Sequence, residues 1–379
     1  MRRLVMVGAG HAQLHLLEGL ALGRVRAAAP VLISAHRHQV YSGMVPGWLA
    51  GRYEEPALSI DLVAFAARAG CRFIESAVRR IDADGHSLEL ADGRTESWDV
   101  LSLAIGSVAG GLDVPGATDT AFTLRPIGRA RAIMPAVQAA AYQHSDRSVR
   151  IAVVGSGAAG FEVACALRAR LRHDALPGTI TLVDAGQHLL ANHDPAARAR
   201  GTRVLARLGI GTALGARIIG VDTRGLATAA GAFIPADVVV WTAGAAPSPI
   251  LSAAGFTLDD RGFVLVDAQL RSVSHPDVLV TGDAAGLEGH PGTPKSGVHA
   301  VREGPVLQHN VRALCGDSPP GALRRYVPRS ATLALLDCGD RTAILSYGSL
   351  ALDGRWVARL KDAIDGRFVA RFQRLAGAT

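Results

Sequence analysis

Lysine is almost missing from this sequence. Of its 40 basic residues only two are lysines, Lys295 and Lys361, and the others are arginines spread along the whole chain. The formal net charge of +7 is therefore not gathered into a basic run of the kind that nucleic-acid-binding segments carry. We interpret the arginines as a solvated surface and expect no nucleic-acid partner.

Cysteine is scarce too, and no two cysteines have the C-x-x-C spacing of a metal or redox site. The four cysteines are Cys71, Cys165, Cys315 and Cys338. No His/Cys cluster has the spacing of zinc ligands, so we expect no metal site, and free thiols in a reducing cytoplasm. The sequence also lacks a run of about 18 apolar residues, which argues against a membrane-spanning helix. We identify no secretory signal near its start.

Glycine and apolar side chains are abundant instead, with 43 glycines and 49% apolar residues in a chain of 379. This length and composition are typical of an α/β protein with two or three domains. Two segments repeat one pattern, LVMVGAGHAQLHLL at 4–17 and RIAVVGSGAAGFEVACALRARL at 150–171. Each is an apolar strand, a glycine turn and a helical pattern, which is the arrangement of a dinucleotide fingerprint.

The second fingerprint is complete. Gly155, Gly157 and Gly160 follow the apolar strand, and Asp184 ends the next strand pattern, GTITLVDAG. Such glycines allow a tight turn and bring a helix N-terminus to a pyrophosphate, while the acid binds ribose hydroxyls. A carboxylate repels a 2′-phosphate, and no arginine follows it in DAGQHLLAN. The segment therefore predicts dinucleotide binding and favours NADH over NADPH.

The first fingerprint departs from the pattern at two places. Gly8 and Gly10 are present, but Gln13 stands where the third glycine would be, and we expect it to loosen one contact between helix and strand. Ser34 stands roughly where the ribose acid would be, with His36 close by to cover adenine or phosphate. A hydroxyl can still bind a ribose, so a cofactor site remains the prediction.

Three later segments complete the pattern. HPDVLVTGDAAG predicts a buried strand that ends at Gly282 and Asp283, and TPKSGVHAVREGP predicts a helix with Lys295 at its head. DVVVWTAGAAPSPIL is the corresponding strand of the second unit. The last 50 or so residues, from Tyr326, predict a hairpin and a final amphipathic helix.

Together these motifs resemble the two-dinucleotide-binding-domain flavoproteins, the pyridine nucleotide-disulfide oxidoreductases in the broad sense. Within them the sequence looks most like type II NADH dehydrogenases, sulfide:quinone oxidoreductases and the NADH dehydrogenase-like module fused to selenide, water dikinase. The resemblance implies an α/β fold with two Rossmann-like domains, one for FAD and one for NAD(P), and a small C-terminal α+β cap. We expect the FAD domain at 1–115 and 246–325, the NAD(H) domain at 116–245 and the cap at 326–379.

The resemblance also assigns cofactor contacts. The residues implied for FAD are Gly8, Ala9, Gly10, His11, Ala12, Ser34, His36, Val78, Ile105, Gly106, Gly282, Asp283, Ser296 and Gly297. The residues implied for NADH are Gly155, Gly157, Ala158, Gly160, Asp184 and Gly244.

Two residues are implied as catalytic. Lys295, with the helix N-terminus beside it, would stabilise the negative charge of reduced flavin, and the alternative is an ordinary surface cap. Glu162 would bind the nicotinamide amide or relay a proton, and the alternative is a partner for the helix dipole.

The electron acceptor is the open question. A disulfide reductase needs a C-x(4)-C pair beside the flavin, and the corresponding segment HQVYSGMVPG has none. Cys165 and Cys338 are interpreted as small buried side chains, with a redox role as the alternative. We therefore predict an FAD enzyme that takes hydride from NADH and passes electrons to a quinone or another small acceptor. The alternatives are a sulfide- or selenium-oxidising flavoprotein and a non-catalytic flavin-binding partner.

The final helix, RWVARLKDAIDGRFVARFQRL, offers a second partner surface. Its apolar residues fall near one face and are Trp356, Leu360, Ile364, Phe368, Phe372 and Leu375. A basic amphipathic helix can lie in an anionic membrane interface, which would make a cytoplasmic protein peripheral to the inner face of the cell membrane. Packing of this face on the protein itself or on a second copy in a homodimer is the alternative.

Overall fold

The computed structural model describes residues 1–144, 146–316 and 323–377. In this part of the chain the α-helices are α1 His11–Ala21, α2 Val45–Leu49, α3 Leu62–Arg68, α4 Ala117–Thr120, α5 Ile133–Gln143, α6 Ala158–His173, α7 Pro195–Leu208, α8 Gly297–Cys315 and α9 Arg355–Leu375. Short 3₁₀ turns lie at Ser42–Met44, Glu55–Leu58, Ile127–Ala132, Pro249–Leu251 and Gly282–Ala284.

The strands number 25 in the described residues. In the first half they are β1 Arg3–Val7, β2 Ala28–Ser34, β3 His38–Val40, β4 Ser59–Asp61, β5 Arg72–Glu75, β6 Val78–Asp82, β7 Ser87–Leu90, β8 Thr95–Ser97, β9 Val100–Leu103, β10 Val108–Ala109, β11 Phe122–Thr123, β12 Val149–Val154 and β13 Gly178–Asp184. In the second half they are β14 Gly211–Leu214, β15 Ile218–Asp222, β16 Gly225–Thr228, β17 Phe233–Pro235, β18 Val238–Trp241, β19 Ala245–Ala246, β20 Val264–Val266, β21 Val278–Val280, β22 Ala285–Leu287, β23 Ala334–Asp337, β24 Ala343–Tyr347 and β25 Leu350–Gly354.

Two parallel five-stranded sheets form the framework. The first has the order β21-β9-β1-β2-β5 and the second the order β11-β18-β12-β13-β14. In both sheets the strand before the glycine turn lies in the centre, between the strand that follows it in the chain and a later one. This is the doubly wound arrangement in which ligands bind beyond the carboxyl ends of the strands. The predicted α/β fold with two Rossmann-like units is confirmed.

The side chains of the central strands alternate between two cores. In β1, Leu4 and Met6 face one apolar cluster, and Val5 and Val7 face another on the opposite side of the sheet. The strand β12 repeats this pattern, and one of the two clusters that it touches also contains Leu4 and Met6. Both faces of each sheet are therefore covered, which is why these strands read as continuous apolar runs.

The smaller sheets of the described residues are antiparallel, except for the parallel pair β20-β22. They include β6-β7-β8, β15-β16-β17 and the tail hairpin β23-β24-β25, on which the final helix α9 follows directly. The predicted hairpin and helix at the C-terminal end are thus observed. The first sheet takes its strands from residues 3–103 and 278–280, and the second from 122–241, while the domain boundaries given above stay a prediction.

Candidate active site

The predicted flavin contacts gather at one edge of the first sheet. Strands β1, β2, β9 and β21 are parallel, and their carboxyl ends lead into the predicted residues at Gly8, Ser34, Ile105 and Gly282. The helix α8, with Ser296 as its N-cap, packs against α1. Residues that are far apart in the chain are therefore brought to a single crevice because parallel strands end at the same edge.

The first glycine turn is pressed against a neighbouring chain segment. A Cβ atom on Gly8 would lie 2.5 Å from the Ala104 carbonyl oxygen, and one on Gly10 would lie 2.8 Å from it. Gly8 also has φ of +79°, and the N–H of Gly10 donates to that same oxygen at 3.1 Å. Only glycine fits both positions. The turn leads into His11 and Ala12, where the first N–H groups of α1 have no intrahelical partner and suit an anion.

Gln13, at the position of the missing glycine, does not loosen the helix. Its side chain is fully buried, and its amide oxygen accepts a hydrogen bond of 2.7 Å from the Ser102 hydroxyl on β9. The expected loss of contact is replaced by a buried hydrogen bond between helix and strand. Such a bond is worth about 1 kcal/mol net, and a larger penalty follows when one partner is removed.

Ser34 and His36 form the turn after β2. The Ser34 hydroxyl donates to the His36 carbonyl oxygen at 2.9 Å and lies 3.3 Å from the His36 N–H. The hydroxyl therefore stabilises its own turn, and the exposed His36 ring lies beside the strand end. Val78 begins β6, outside the first parallel sheet.

The second glycine turn has a closed side and an open side. A Cβ on Gly155 would lie 2.8 Å from the Ala243 nitrogen, and one on Gly160 would lie 1.7 Å from the Gly155 carbonyl oxygen. A Cβ on Gly157 would meet no atom within 4 Å. The outer two glycines are therefore required by packing, whereas the middle one leaves space beside the N-terminus of α6.

Asp184 is held at this open side by the backbone. Its Oδ2 accepts from the Ser156 N–H at 2.5 Å and its Oδ1 from the Gly186 N–H at 2.7 Å. These bonds fix the carboxylate next to the glycine turn, where fingerprints of this type bind ribose. Gly244 lies beyond the end of β18, across the same edge of the sheet.

Asp283 takes part in a polar contact that the sequence did not indicate. Its Oδ2 accepts from the Arg125 guanidinium at 2.7 Å and from the Ser107 hydroxyl at 3.0 Å. Three separate segments meet there, because Ser107 follows Gly106, Arg125 follows β11 and Asp283 follows β21. Arg125 stands in no recognisable motif, and only the fold brings it to the Asp283 carboxylate.

Lys295 is not an exposed helix cap. Its ammonium donates to the Ala285 carbonyl oxygen and lies 3.7 Å from the centre of the Phe263 ring. Partial burial lowers the pKa of this lysine. The alternative of an ordinary surface residue is therefore not supported.

Glu303 on α8 was missed in the sequence. Its side chain is 2% exposed, and its Oε2 accepts from the Gly282 N–H at 2.6 Å. Burial raises the pKa of this carboxyl group to about 7. The sequence does contain one indication of Glu303: it lies on the inward face of the helix, one turn after His299. A charged residue on an apolar face needs a partner, so its position predicts a buried contact.

The raised pKa of Glu303 gives a prediction about stability. A carboxyl whose folded-state pKa is about 7, against an ordinary 4.5, favours folding when protonated. Wild-type stability should therefore fall, relative to Glu303→Gln, by about 3 kcal/mol as the pH rises from 4.5 to 7. Denaturant unfolding across this range measures the difference. The exposed Glu75→Gln change is the control, and parallel curves for wild type and Glu303→Gln would contradict the prediction.

Glu162 belongs to α6, and its side chain faces the C-terminal part of the chain. Its Oε1 accepts from the Asp337 N–H at 2.8 Å and lies 4.0 Å from the Lys361 ammonium. Burial raises the pKa of Glu162 to about 7. The side chain is 15% exposed and contacts the tail of the chain, and both a role in the reaction and a partnership with the helix dipole stay predictions.

Cys165 and Cys338 lie on neighbouring segments, α6 and the tail hairpin. A Cβ on Gly339 would lie 2.3 Å from the Cys165 carbonyl oxygen. Both cysteines are fully buried, and burial raises the pKa of the Cys338 thiol to about 12 and that of Cys165 as well. Buried thiols with raised pKa values are poor nucleophiles. The structure supports the interpretation of small buried side chains.

The apolar residues of the final helix do not all lie on one face, which corrects the expectation from the sequence. Phe368 and Phe372 face inward, where the Phe372 ring lies 5.4 Å from the His15 ring, and Leu375 packs beside them. Trp356, Leu360 and Ile364 face outward and are 51%, 36% and 41% exposed. The reason is that successive i, i+4 positions drift by about 40° around a helix, so the apolar row turns from the exposed side at Trp356 to the buried side at Phe372.

Two kinds of feature are absent from the residues that the structure describes. None of their helices combines the length and the apolar character that crossing a bilayer requires. Nor do three or more His, Cys, Asp or Glu side chains among them gather in a group that could hold a metal ion.

The residues at the two sheet edges fit dinucleotide cofactors. The middle glycine of the second turn leaves free space, and the buried Nε2 atom of His11, at the start of α1, has no hydrogen-bond partner among the described residues. Two helix N-termini meet at the first edge, since a Cβ on Gly297 would lie 3.5 Å from the His11 ring. Free space, an orphaned polar atom and paired helix N-termini are features of an anionic ligand site.

Comparison with known proteins agrees with this geometry. An NADH dehydrogenase-like protein of Mycobacterium tuberculosis is 28% identical over 359 residues, which cover 92% of this chain and 88% of that one. The sulfide:quinone oxidoreductase of Aquifex aeolicus has a similar structure, with a TM-score of 0.82 at 15% identity over 99% of this chain and 92% of the other. The NDH2 of Plasmodium falciparum in complex with NADH has a TM-score of 0.79 at 12% identity, over 98% and 99% of the two chains.

The sequence itself matches one protein family, and the matched stretch includes both glycine turns and the first part of α8, up to Gly304. The match to the pyridine nucleotide-disulphide oxidoreductases runs over residues 2–304. This family implies a flavin and a nicotinamide nucleotide, while the finer resemblance to the module fused to selenide, water dikinase stays a prediction. The chain therefore belongs to the pyridine nucleotide-disulphide oxidoreductase family.

Proposed function

We propose that this protein oxidises NADH at bound FAD and passes the electrons to a quinone-type acceptor. The observation that carries the proposal is the duplicated glycine turn, once beside α1 and α8 and once beside α6 and Asp184. The relatives support the acceptor class, since they include a type II NADH:quinone oxidoreductase of Mycobacterium tuberculosis and a demethylphylloquinone reductase of Synechocystis.

The residues have separate roles in this proposal. Bound FAD would supply the two-electron carrier between nicotinamide and acceptor. Gly8 and Gly10 let α1 direct its free N–H groups at a pyrophosphate, and the N-terminus of α8 favours negative charge beside Lys295. Asp184 binds the ribose hydroxyls of NADH and disfavours a 2′-phosphate.

The positions of the cysteines favour a small molecule over a disulfide as the electron acceptor. The segment His38–Val40 and the turn Ser42–Met44, which take the place of the redox pair in disulfide reductases, contain no cysteine. The reaction NADH + H⁺ + quinone → NAD⁺ + quinol consumes one proton from water. Glu162, with a pKa near neutrality, is the group that we assign to deliver it.

We also propose that the protein is peripheral to a membrane through α9. Trp356, Leu360 and Ile364 form an exposed apolar stripe, and the exposed Arg355 and Arg359 flank it. Such a stripe suits an anionic membrane interface and would bring the protein to a membrane-dissolved quinone. Sedimentation with phosphatidylglycerol vesicles at low salt measures this contact, and protein left in the supernatant would contradict it.

The test of the function is an anaerobic titration of the purified holoprotein. We expect a yellow protein whose flavin absorbance is bleached by NADH, much less by NADPH, and restored by a water-soluble quinone. A protein that takes up no flavin would contradict the proposal. Flavin that no nicotinamide reduces would indicate a non-catalytic flavin-binding partner, and bleaching by sulfide would indicate the sulfur-oxidising alternative, against which the buried thiols argue.

A further inference from the structure

A small polar cavity lies beside the N-terminus of α8, and its walls include a buried acid. Three of the residues that line it, Gly282, Asp283 and Ser296, are predicted flavin contacts. Lys295 and Glu303 line the same cavity. Glu303 therefore faces the space that we expect the flavin contacts to enclose, although it lies in the second turn of α8.

The carboxyl group of Glu303 is not needed to hold the neighbouring turn. Among the described residues its hydrogen-bond donor is the Gly282 N–H, at 2.6 Å. The amide oxygen of a glutamine, which has the same shape, can accept that bond equally well. Burying an ionisable group costs more than burying an amide, so packing alone favours glutamine. What the acid can do and the amide cannot is bind and release a proton.

The charges around this cavity balance when Glu303 is ionised. Asp283 pairs with Arg125 at 2.7 Å. Burial has the largest effect on Glu303 and raises its pKa to about 7; the Gly282 N–H and the charge of Lys295 lower it, and the charge of Asp283 raises it. Above this pH two carboxylates face two cations. One further negative charge in the cavity would leave the group unbalanced and would raise the pKa of Glu303 again.

The other titratable groups near Glu303 in the described residues are one cation and three groups that are neutral around pH 7. The cation is Arg302, the preceding residue on α8. The neutral groups are His299 on α8, Tyr326, whose hydroxyl lies 2.7 Å from His299 Nδ1, and His15 on α1. Burial lowers the pKa of both histidines, that of His15 to about 4, and raises that of Tyr326. None of the three neutral groups competes with Glu303 for a proton near pH 7.

We propose that Glu303 binds one proton each time that flavin in this crevice is reduced and releases it when the flavin is reoxidised. The proposal rests on FAD binding in the proposed function and does not depend on the acceptor. Hydride from NADH carries two electrons and one proton, and it converts FAD into the singly charged FADH⁻. A second proton, from water, joins the Glu303 carboxylate and returns to water on reoxidation. Once Glu303 is neutral, the charge of Lys295 is left to offset that of the reduced flavin.

The number of protons taken up with the electrons tests this proposal. The midpoint potential of the flavin is measured in the holoprotein on both sides of pH 7, by titration with dithionite and redox mediators. Above pH 7 the potential of the wild type should fall about twice as steeply with pH as that of Glu303→Gln, because two protons and not one accompany each electron pair. Below pH 7 the two slopes should agree, since Glu303 is then protonated in both redox states.

The matched control is Glu288→Gln. Glu288 is an exposed acid that directly follows β22, and it should keep the steep slope of the wild type. Equal slopes in the wild type and Glu303→Gln above pH 7 would overturn the proposal. Failure to fold does not obscure the comparison, because Glu303→Gln is isosteric and is expected to be more stable than the wild type at pH 7.

A second measurement detects the proton itself. Infrared difference spectra, reduced minus oxidised, should contain a protonated carboxyl band above pH 7 that shifts in heavy water. The band should be absent in Glu303→Gln and present in Glu288→Gln. A wild type without the band, or an equal band in Glu303→Gln, would overturn the proposal.

These experiments separate the proposal from the proposed function, because dithionite reduces the flavin whether or not NADH does. A steep slope in a protein that reduces no quinone would contradict the proposed function alone. Normal NADH:quinone activity with equal slopes in the wild type and Glu303→Gln would overturn this proposal alone. A purified protein that takes up no flavin would overturn both.

Discussion

Gly160→Ala is expected to destabilise the fold, whereas Gly157→Ala is expected to weaken NADH binding and leave the fold intact. A Cβ on Gly160 would lie 1.7 Å from the Gly155 carbonyl oxygen and 2.7 Å from the Thr242 hydroxyl, so α6 must move away from its strand. Overpacking against backbone atoms costs about 3 kcal/mol or more. We expect Gly160→Ala to lose stability and, with the displaced helix N-terminus, reduction of the flavin by NADH.

Gly157→Ala should fold normally because a Cβ there meets no atom within 4 Å. The space that it fills is the one through which a pyrophosphate would approach the backbone. We expect unchanged denaturant unfolding and unchanged FAD content, with the KM for NADH raised at least about tenfold, the equivalent of about 1.4 kcal/mol. Unfolding curves and NADH titrations of both variants separate the two effects. An unaffected KM in Gly157→Ala would show that NADH does not bind at this turn.

Asp184→Asn is expected to reduce the preference for NADH over NADPH by about 100-fold. The substitution keeps one oxygen, which can accept from either the Ser156 or the Gly186 N–H, loses the other of these two hydrogen bonds, and removes the charge that repels a 2′-phosphate. Like charges brought together in a binding site cost several kcal/mol, and about 3 kcal/mol corresponds to that ratio. Values of kcat/KM for the two nucleotides give the result directly.

The control for this substitution is Asp222→Asn. Asp222 is an exposed acid of the same unit that pairs with its neighbour Arg224, and it lies on the antiparallel strand β15 away from the glycine turn. It should change neither KM value. A nucleotide preference that Asp184→Asn leaves as in wild type would mean that Asp184 does not contact the ribose.

Local rules account for the parts of the site that the sequence revealed. Each glycine turn is predicted from residues that are close together in the chain. The same segment also predicts the strand before the turn and the helix after it. The G-D sequence at Gly282 and Asp283 likewise ends a strand of buried residues, and the packing of α8 on α1 follows from two strands that end at one edge. These features depend on periodicity and on steric limits at single residues.

Residues that join distant segments could not be predicted in this way. Arg125 reaches Asp283, Glu303 reaches the Gly282 N–H, and Lys361 reaches both Gly43 and Asp365. A lone arginine or a lysine on a helix has the same local appearance whether it is solvated or buried. The final helix illustrates the same limit, because its pattern predicted one apolar face and the fold covers Phe372 while leaving Trp356 exposed.

The sequence by itself determined the duplicated α/β unit, the family resemblance and the positions of the two glycine turns, because backbone geometry at a glycine and apolar alternation in a strand are set by near neighbours. Only the tertiary structure decided which charged groups meet. It placed Glu162 against the C-terminal helix, paired Lys361 with Asp365, and buried Cys165 and Cys338. Charges act through space and not along the chain, so their partners and pKa values become defined only when the fold has brought them together.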